Sequence, residues 1–468
     1  MAGKMTTVYT HDQIQFPVAG SDEAVIALPE IDFTSHIPTQ GSVEKVSYQK
    51  LYCDSANLLG TSPQLVFHSK PSQYWTDLSE TFISLEISLV RTDGKKIDVE
   101  KEKVSFCNFV AASLFKDLQI QICGKNTTSC FNNFYIENYL KVVLEQSQES
   151  MQKWRVAGLE DVQAYDQSDP TVDGDKGIAA LYKMSRKPRV WVHLPVLNNV
   201  CCQSRFFPSL VDFKFIFTKN DPNFKFCTTS DNTVNYDIAI HQAYLQLKKV
   251  HLYPNVEEQL NSRLTSGIPM QFYIQNMYAR TFPIIKGQTS VRIPEIFLNP
   301  YLPQTCYVGV MEETDLFGSK TSQNLSFQNQ GVNKLYMTNA GIVYPLSGEF
   351  SPDTASGEWA REFFSLYGPG GFGLNLKCDY GMYLTYEMWN KHHCFYKFDF
   401  GRYSNALQIV GQSFKDQRQP SAGVDLHIGF SAPTKANLQV VIFTNYLESL
   451  AITSNEQNIR DVELGYSI

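Results

Sequence analysis

In TFISLEISLV (residues 81–90), Leu85, Ile87 and Leu89 alternate with Ser84, Glu86 and Ser88. A period of two marks a strand with one buried face. Thr92-Asp93-Gly94 follows as a turn. The same alternation sets Leu118, Ile120 and Ile122 against Gln119, Gln121 and Cys123, and it spaces Val211, Phe213, Phe215 and Phe217. Later, Val424, Leu426, Ile428 and Phe430 alternate with Asp425, His427 and Gly429. LQVVIF, starting at Leu438, is apolar on both sides and predicts a strand covered on both faces. Many short strands between turn signals, without a βαβ rhythm, predict an all-β protein built of sandwiches.

Three stretches carry a helical period instead. From Asn133 to about Glu145, the residues Ile136, Tyr139, Leu140, Val143 and Leu144 share one face. NVEEQLNSRL (255–264) follows Pro254, and DTASGEWAREFFSLY places Trp359, Ala360, Phe363, Phe364 and Tyr367 together. The middle helix, followed by Ser266-Gly267, divides the chain. The division reads as an N-terminal arm (1–40), a first jelly roll (41–254), a connector helix and linker (255–267) and a second jelly roll (268–468). Residues 146–187 show little periodicity and predict a long surface loop on the first roll. Both halves run strands, a helix-bearing excursion, then strands, which suggests duplication, although no sequence repeat is visible.

At 468 residues the chain is long enough for about two to four cores. With 40 Lys+Arg against 47 Asp+Glu, the net charge is −7 and no run of one sign stands out. A phosphate-binding surface needs a basic patch, so direct, sequence-specific nucleic-acid binding is not expected. Ten scattered cysteines without a CxxC pair predict reduced, buried thiols. MAGKMTTVYTHDQIQFP lacks the apolar core of a signal peptide, and LQVVIF is too short to span a bilayer. A soluble chain made inside the cell, with no transmembrane segment, is the expectation. The sequons at Asn126 and Asn324 then read as ordinary loop residues.

Candidate chemistry is sparse. GPGGFG (368–373) matches GxGxxG, but a predicted helix precedes it where a nucleotide site needs a strand, so Gly368 reads as a helix stop. His392-His393-Cys394 would point to opposite faces of a strand and suits no single ion, so these read as strand or loop residues. There is no GxSxG elbow and no protease-like cysteine context. Glu312, Glu313 and Asp315 could supply a carboxylate pair, and Trp75, Trp191 and Tyr344 could line a sugar site. The first three read more simply as a strand end entering a solvated loop, and the aromatics as core. No catalytic, cofactor-binding or metal residue is assigned, no cofactor is implied, and the chain is not expected to be an enzyme. The alternative is a double β-sandwich that binds or hydrolyses carbohydrate.

QYWTDLSETFISLEISLVRTDGKK, followed by VSFCNFVAASLFKDLQIQICGKNTTSCFNNFYIENYLKVVLE, resembles the major capsid protein of Polinton (Maverick) elements and adintovirus-like viruses. The matching positions are Asp77, Leu78, Ser79, Thr81, Asp93, Gly94, Asn108, Ser113, Leu114, Phe115, Gly124, Lys125, Tyr139 and Leu140. RVWVHLPVLNNVCCQSRFFPSLVDFKFIFTKND, AYLQLKKVHLYPNV, ARTFPIIKGQTS, YVGVMEETDLFGS, NKLYMTNAGIVYP, FYKFDFG and GVDLHIGFSAPTKANLQVVIFTNYLESLAI continue the series in order. It covers roughly residues 45–466. Cys123 stands where the family has asparagine before the hairpin glycine, and the acid expected after His193 has no clear counterpart. Double jelly-roll capsid proteins of virophages, adenoviruses and tailless phages are the near alternatives.

The resemblance implies two jelly rolls per chain and a homotrimer forming a pseudo-hexagonal capsomer. Such capsomers tile an icosahedral shell around double-stranded DNA. It also implies contacts with neighbouring capsomers, a minor or penton protein at the vertices and a separate cationic protein on the packaged DNA. The protein would be made in the cytoplasm, assembled there or in the host nucleus, and end in the virion.

Overall fold

The computed structural model describes residues 9–10, 13–17, 24–26, 41–53, 62–98, 101–127, 134–146, most of 152–352, 360–366, 384–400, 423–454 and 460–465. Sixteen strands build four main sheets. The first eight are β1 (Val43–Tyr52), β2 (Gln64–Ser69), β3 (Trp75–Arg91), β4 (Phe115–Ile122), β5 (Lys125–Asn126), β6 (Val190–Pro195), β7 (Phe213–Lys219) and β8 (Tyr236–Leu252). The second eight are β9 (Met270–Ile284), β10 (Ser290–Ile293), β11 (Thr305–Glu312), β12 (Val332–Asn339), β13 (Ile342–Tyr344), β14 (Phe395–Asp399), β15 (Asp425–Phe430) and β16 (Leu438–Ser454).

The two sets repeat one topology. The first pairs as β1-β8-β3-β6 and β2-β7-β4-β5; the second pairs as β9-β16-β11-β14 and β10-β15-β12-β13. Adding eight to each number converts one pattern into the other. Among the described strands, pairing never crosses between the two sets. The duplication suggested by the sequence is therefore present in the connectivity. A further strand, Arg460–Gly465, pairs with β16.

Period-two strands bury the side expected of them. In β4, Leu118, Ile120 and Ile122 are buried while Gln119 and Gln121 are half-buried. Phe213, Phe215 and Phe217 of β7 lie across from them and are buried completely. Each such phenylalanine contributes about 1.5–3 kcal/mol. LQVVIF is covered on both faces, with Leu438 and Val440 to Phe443 all buried, and the cover comes from within the chain.

β4 and β5 are joined by two residues, Cys123 and Gly124, both at positive φ (49° and 78°). This is the tight hairpin that favours Asn-Gly. Cysteine in the left-handed region is strained where asparagine is tolerated. Cys123→Asn should therefore stabilise the fold by about 0.5–1 kcal/mol, read as a higher denaturation midpoint. A lower midpoint would contradict the turn geometry.

Among the described residues, the helices of five residues or more are α1 (Phe134–Glu145), α2 (Lys176–Ser185), α3 (Pro254–Thr265), α4 (Glu313–Phe317), α5 (Ala360–Ser365) and α6 (Tyr386–His392). α1 is buried around most of its circumference rather than along one stripe, and even Asn138 and Lys141 are covered. Lys141 is tolerated there because its ammonium meets Glu137 at 2.8 Å and the Leu197 carbonyl at 2.7 Å. α3 lies between β8 and β9 and ends at Ser266, with Gly267 at φ 85°.

Residues 146–187 do not form a plain surface loop. They hold a 3-10 turn (Arg155–Ala157) and α2, and they bury Trp154, Leu159, Val162, Tyr165, Ile178 and Leu181. Isolated anchors, rather than a periodic face, dock this segment. Glu313 and Asp315 likewise lie in α4 rather than in a loop.

Candidate functional site: the seam and the open sheet face

Two surfaces stand out: the seam where the sandwiches meet, and one sheet face left open. At the seam, the Asn108 backbone N–H donates to Gln323 Oε1 at 2.8 Å, and Gln323 N donates to the Tyr165 carbonyl at 3.0 Å. Thr228 N donates to the Lys320 carbonyl, and Asn324 Nδ2 to the Asn223 carbonyl. Phe207 stacks on Phe272 with ring centroids 4.5 Å apart, and Lys125 meets Asp461 at 2.9 Å. At the centre, the α1 residue Tyr139 shares a hydrogen bond with Tyr165 (2.8 Å) and touches His393 (3.3 Å). Burial pushes His393 down to about 3 and the Tyr165 phenol upward. Buried hydrogen-bonded groups of this kind hold two bodies in one fixed relation.

The sequence candidates do not converge. His392 ends α6 and meets Ser326 Oγ at 3.0 Å; His393 turns into the seam; the Cys394 thiol meets the Tyr396 hydroxyl. His392 is thus helical, not strand or loop. Among the described residues, no group of three or more His, Cys, Asp or Glu side chains could hold a metal ion. Glu313 accepts from Asn437, and Asp315 from Ser322. Trp75 is buried against Val250 and Leu252, and Tyr344 packs on Phe400, whereas Trp191 lies exposed on a sheet. Asn324 is buried with its side chain bonded to Ser319 and Asn223, which leaves no place for a glycan. GPGGFG lies outside the described residues. No described helix is long and apolar enough to cross a membrane.

The open face belongs to β1-β8-β3-β6. Tyr52, Tyr244, Ser84 and His193 sit in register across all four strands. Trp191 stacks near-parallel on His193 (6.3 Å, 11°), and Tyr244 lies between Trp191 (5.9 Å) and Tyr52 (6.1 Å). Ser84 Oγ holds His193 Nδ1 at 2.7 Å, and Lys50 covers the Tyr244 ring at 4.7 Å. Tyr52 is 71% exposed and Trp191 41%.

No protein-family model and no curated protein sequence matches the chain. Solved structures do match. A chain from the Sputnik virophage superposes with a TM-score of 0.59 at 13% identity, covering 96% of this chain and 94% of that one. The Faustovirus major capsid protein gives 0.57 at 8% identity over 89% and 91%. PBCV-1 VP54, fitted into a reconstruction of the virophage Sputnik, gives 0.54 at 9% identity over 93% and 100%. The chain has the double jelly-roll fold. The strand correspondence described for the two sets fits the two rolls of that fold.

Each roll of the double jelly-roll buries a lysine that the sequence did not flag. Lys249 meets the hydroxyls of Ser69 (3.3 Å) and Thr76 (2.9 Å), and burial pushes it down to about 8. Lys397 in β14 is also buried and pushed down to about 8. Below pH 8 both folded and unfolded states hold the proton, so the burial penalty is constant. Between pH 8 and the unfolded value of 10.5, only the unfolded state holds it, and stability rises with pH. Lys249→Met should stabilise the fold at pH 7 by about 2 kcal/mol and reduce the alkaline rise. Denaturation at pH 7 and pH 10 checks both, and an unchanged rise would show the lysine is not desolvated.

Proposed function

We propose that this chain is the major capsid protein of a virus or virus-like element. It forms homotrimers whose six jelly rolls make a pseudo-hexagonal capsomer, and these capsomers tile an icosahedral shell around double-stranded DNA. The observation that carries this reading is the repeated topology: two sandwiches of one strand order, fixed to each other by a buried polar seam. A chain of this design supplies two similar wall elements at a set angle, which is what a six-sided tile built from three copies requires. The likeness to the Sputnik chain and the Faustovirus protein supports it. The ordered sequence series supports membership near the Polinton and adintovirus proteins.

On this reading the protein acts through shape and contact rather than catalysis, and its net charge of −7 leaves DNA neutralisation to another, cationic protein. Its partners are its own copies, neighbouring capsomers and a vertex protein, and its place is the virion. Light scattering of the purified protein should give about three times the chain mass of 53.2 kDa, and negative-stain images should show three-fold particles with hexagonal outlines. A stable single-chain species across a wide concentration range would defeat the proposal.

A further inference from the structure

The two equivalent sheets differ in what covers them. In the second roll, β11 from Thr305 to Met311 and β16 from Leu438 to Tyr446 are buried on both faces inside one chain. Phe327 lies so close over Gly309 that an added Cβ would stand 2.7 Å from its ring. The segments around this cover, residues 318–327 and α6 with His393, also contact the first roll. The equivalent sheet of the first roll, β1-β8-β3-β6, has an open outer face carrying the aromatic row.

We propose that this row is the docking surface for the second roll of a neighbouring copy of the same chain. The inference rests on the capsomer reading above. In a closed ring of alternating rolls, every roll has a neighbour on each side. One junction, from the first roll to the second, is made within the chain. The remaining junction must use a free flank of the first roll, and its open sheet is the counterpart of the one the second roll already covers. The row has the properties of an interface centre: large aromatic rings held in place before binding by Ser84 and by one another. The bordering strand β1 is a ten-residue edge exposing Val46, Tyr48 and Tyr52, and an uncovered edge of that kind invites pairing with another chain.

The test is the mass in solution of three proteins: wild type, Trp191→Glu and Tyr52→Glu. Both side chains are exposed in the single chain, so each variant should keep the wild-type circular dichroism. The expected result is a three-chain wild type and single-chain variants, with Tyr52→Phe still three-chain. As a second readout, in a Cys202→Ser background that removes the exposed native thiol, a cysteine placed by Tyr52→Cys should take up a bulky maleimide, beyond the labelling of the background alone, only when the protein is diluted to single chains. Variants that remain three-chain particles, with the cysteine freely reactive, overturn this assignment and leave the capsomer reading standing. A single-chain wild type removes both. Unchanged mass, with glycan-array binding that only the wild type shows, would assign the row to a sugar and overturn the proposal.

Discussion

Replacing Gly177 with alanine should loosen the whole 146–187 segment and destabilise the protein by about 3 kcal/mol. In an ordinary exposed helix the same change helps, by up to about 1 kcal/mol. Here the sign reverses because of what stands next to the glycine. A Cβ at Gly177 would lie 2.4 Å from the Asp161 carbonyl oxygen and 2.8 Å from Val162 N, both backbone atoms. Neither can rotate away, so the start of α2 has to lift. Lifting it breaks the cap in which Asp175 accepts from Gly177 N (2.9 Å) and Ile178 N (3.1 Å) while its other oxygen accepts from Gln163 N (2.8 Å). It also exposes Ile178 and Leu181, now buried. Thermal denaturation with limited proteolysis measures both consequences, with new cleavage expected inside 146–187. A variant as stable as wild type, with no new cleavage, would contradict the packing described.

The second large effect is acid lability centred on the seam. His393 is pushed down to about 3, chiefly by burial, with the neighbouring His392 adding in the same direction. In the unfolded chain it would take up a proton near 6.5. Above that value neither state is protonated and the group contributes no slope. As the pH falls from 6.5 towards 3, only the unfolded chain binds the proton. Stability is then lost at up to about 1.4 kcal/mol per pH unit, or about 5 kcal/mol in all. His193 and His427, also pushed down by burial, act with the same sign. His393→Gln should remove the largest share of this slope between pH 6 and pH 4 in denaturant titrations. Equal slopes in variant and wild type would show that His393 titrates normally. Because the histidine touches Tyr139 across the seam, the wild type should fail there first, which hydrogen exchange at α1 would register.

The sandwich strands were legible because a half-buried strand leaves a period of two, which β4 keeps from Leu118 to Ile122, while Ser84 and Ser88 of β3 and Ile216 of β7 are buried as well. LQVVIF was legible for the opposite reason, since a strand buried on both faces has no polar side. The helical period locates α1 but understates its burial: the sequence marks Lys141 and Asn138 as polar and cannot show that Glu137 and the Leu197 carbonyl hold the Lys141 ammonium, or that the Phe134 carbonyl accepts from Asn138 Nδ2. The fold of 146–187 left no periodic trace, because Trp154, Leu159, Val162 and Tyr165 act as single anchors between polar residues. α6 was missed because its seven residues hold barely two turns. The seam was not legible at all. Asn108 and Gln323 are 215 positions apart, and nothing local distinguishes either from a surface amide. The aromatic row was half visible: Trp191 was noticed, but its alignment with Tyr244 and Tyr52 depends on register.

The connector α3 has a consequence for assembly by mass action. Twelve residues tie the two rolls together, so their junction forms at the effective concentration of a short tether, on the order of millimolar, rather than at the concentration of free chains. A ring of six separate rolls would have to close six intermolecular contacts, and its yield would fall with the sixth power of dilution. On the proposed capsomer reading, every second junction is made internally, so a capsomer would close three contacts and its yield would fall only with the third power. Assembly would then begin while the protein is still scarce.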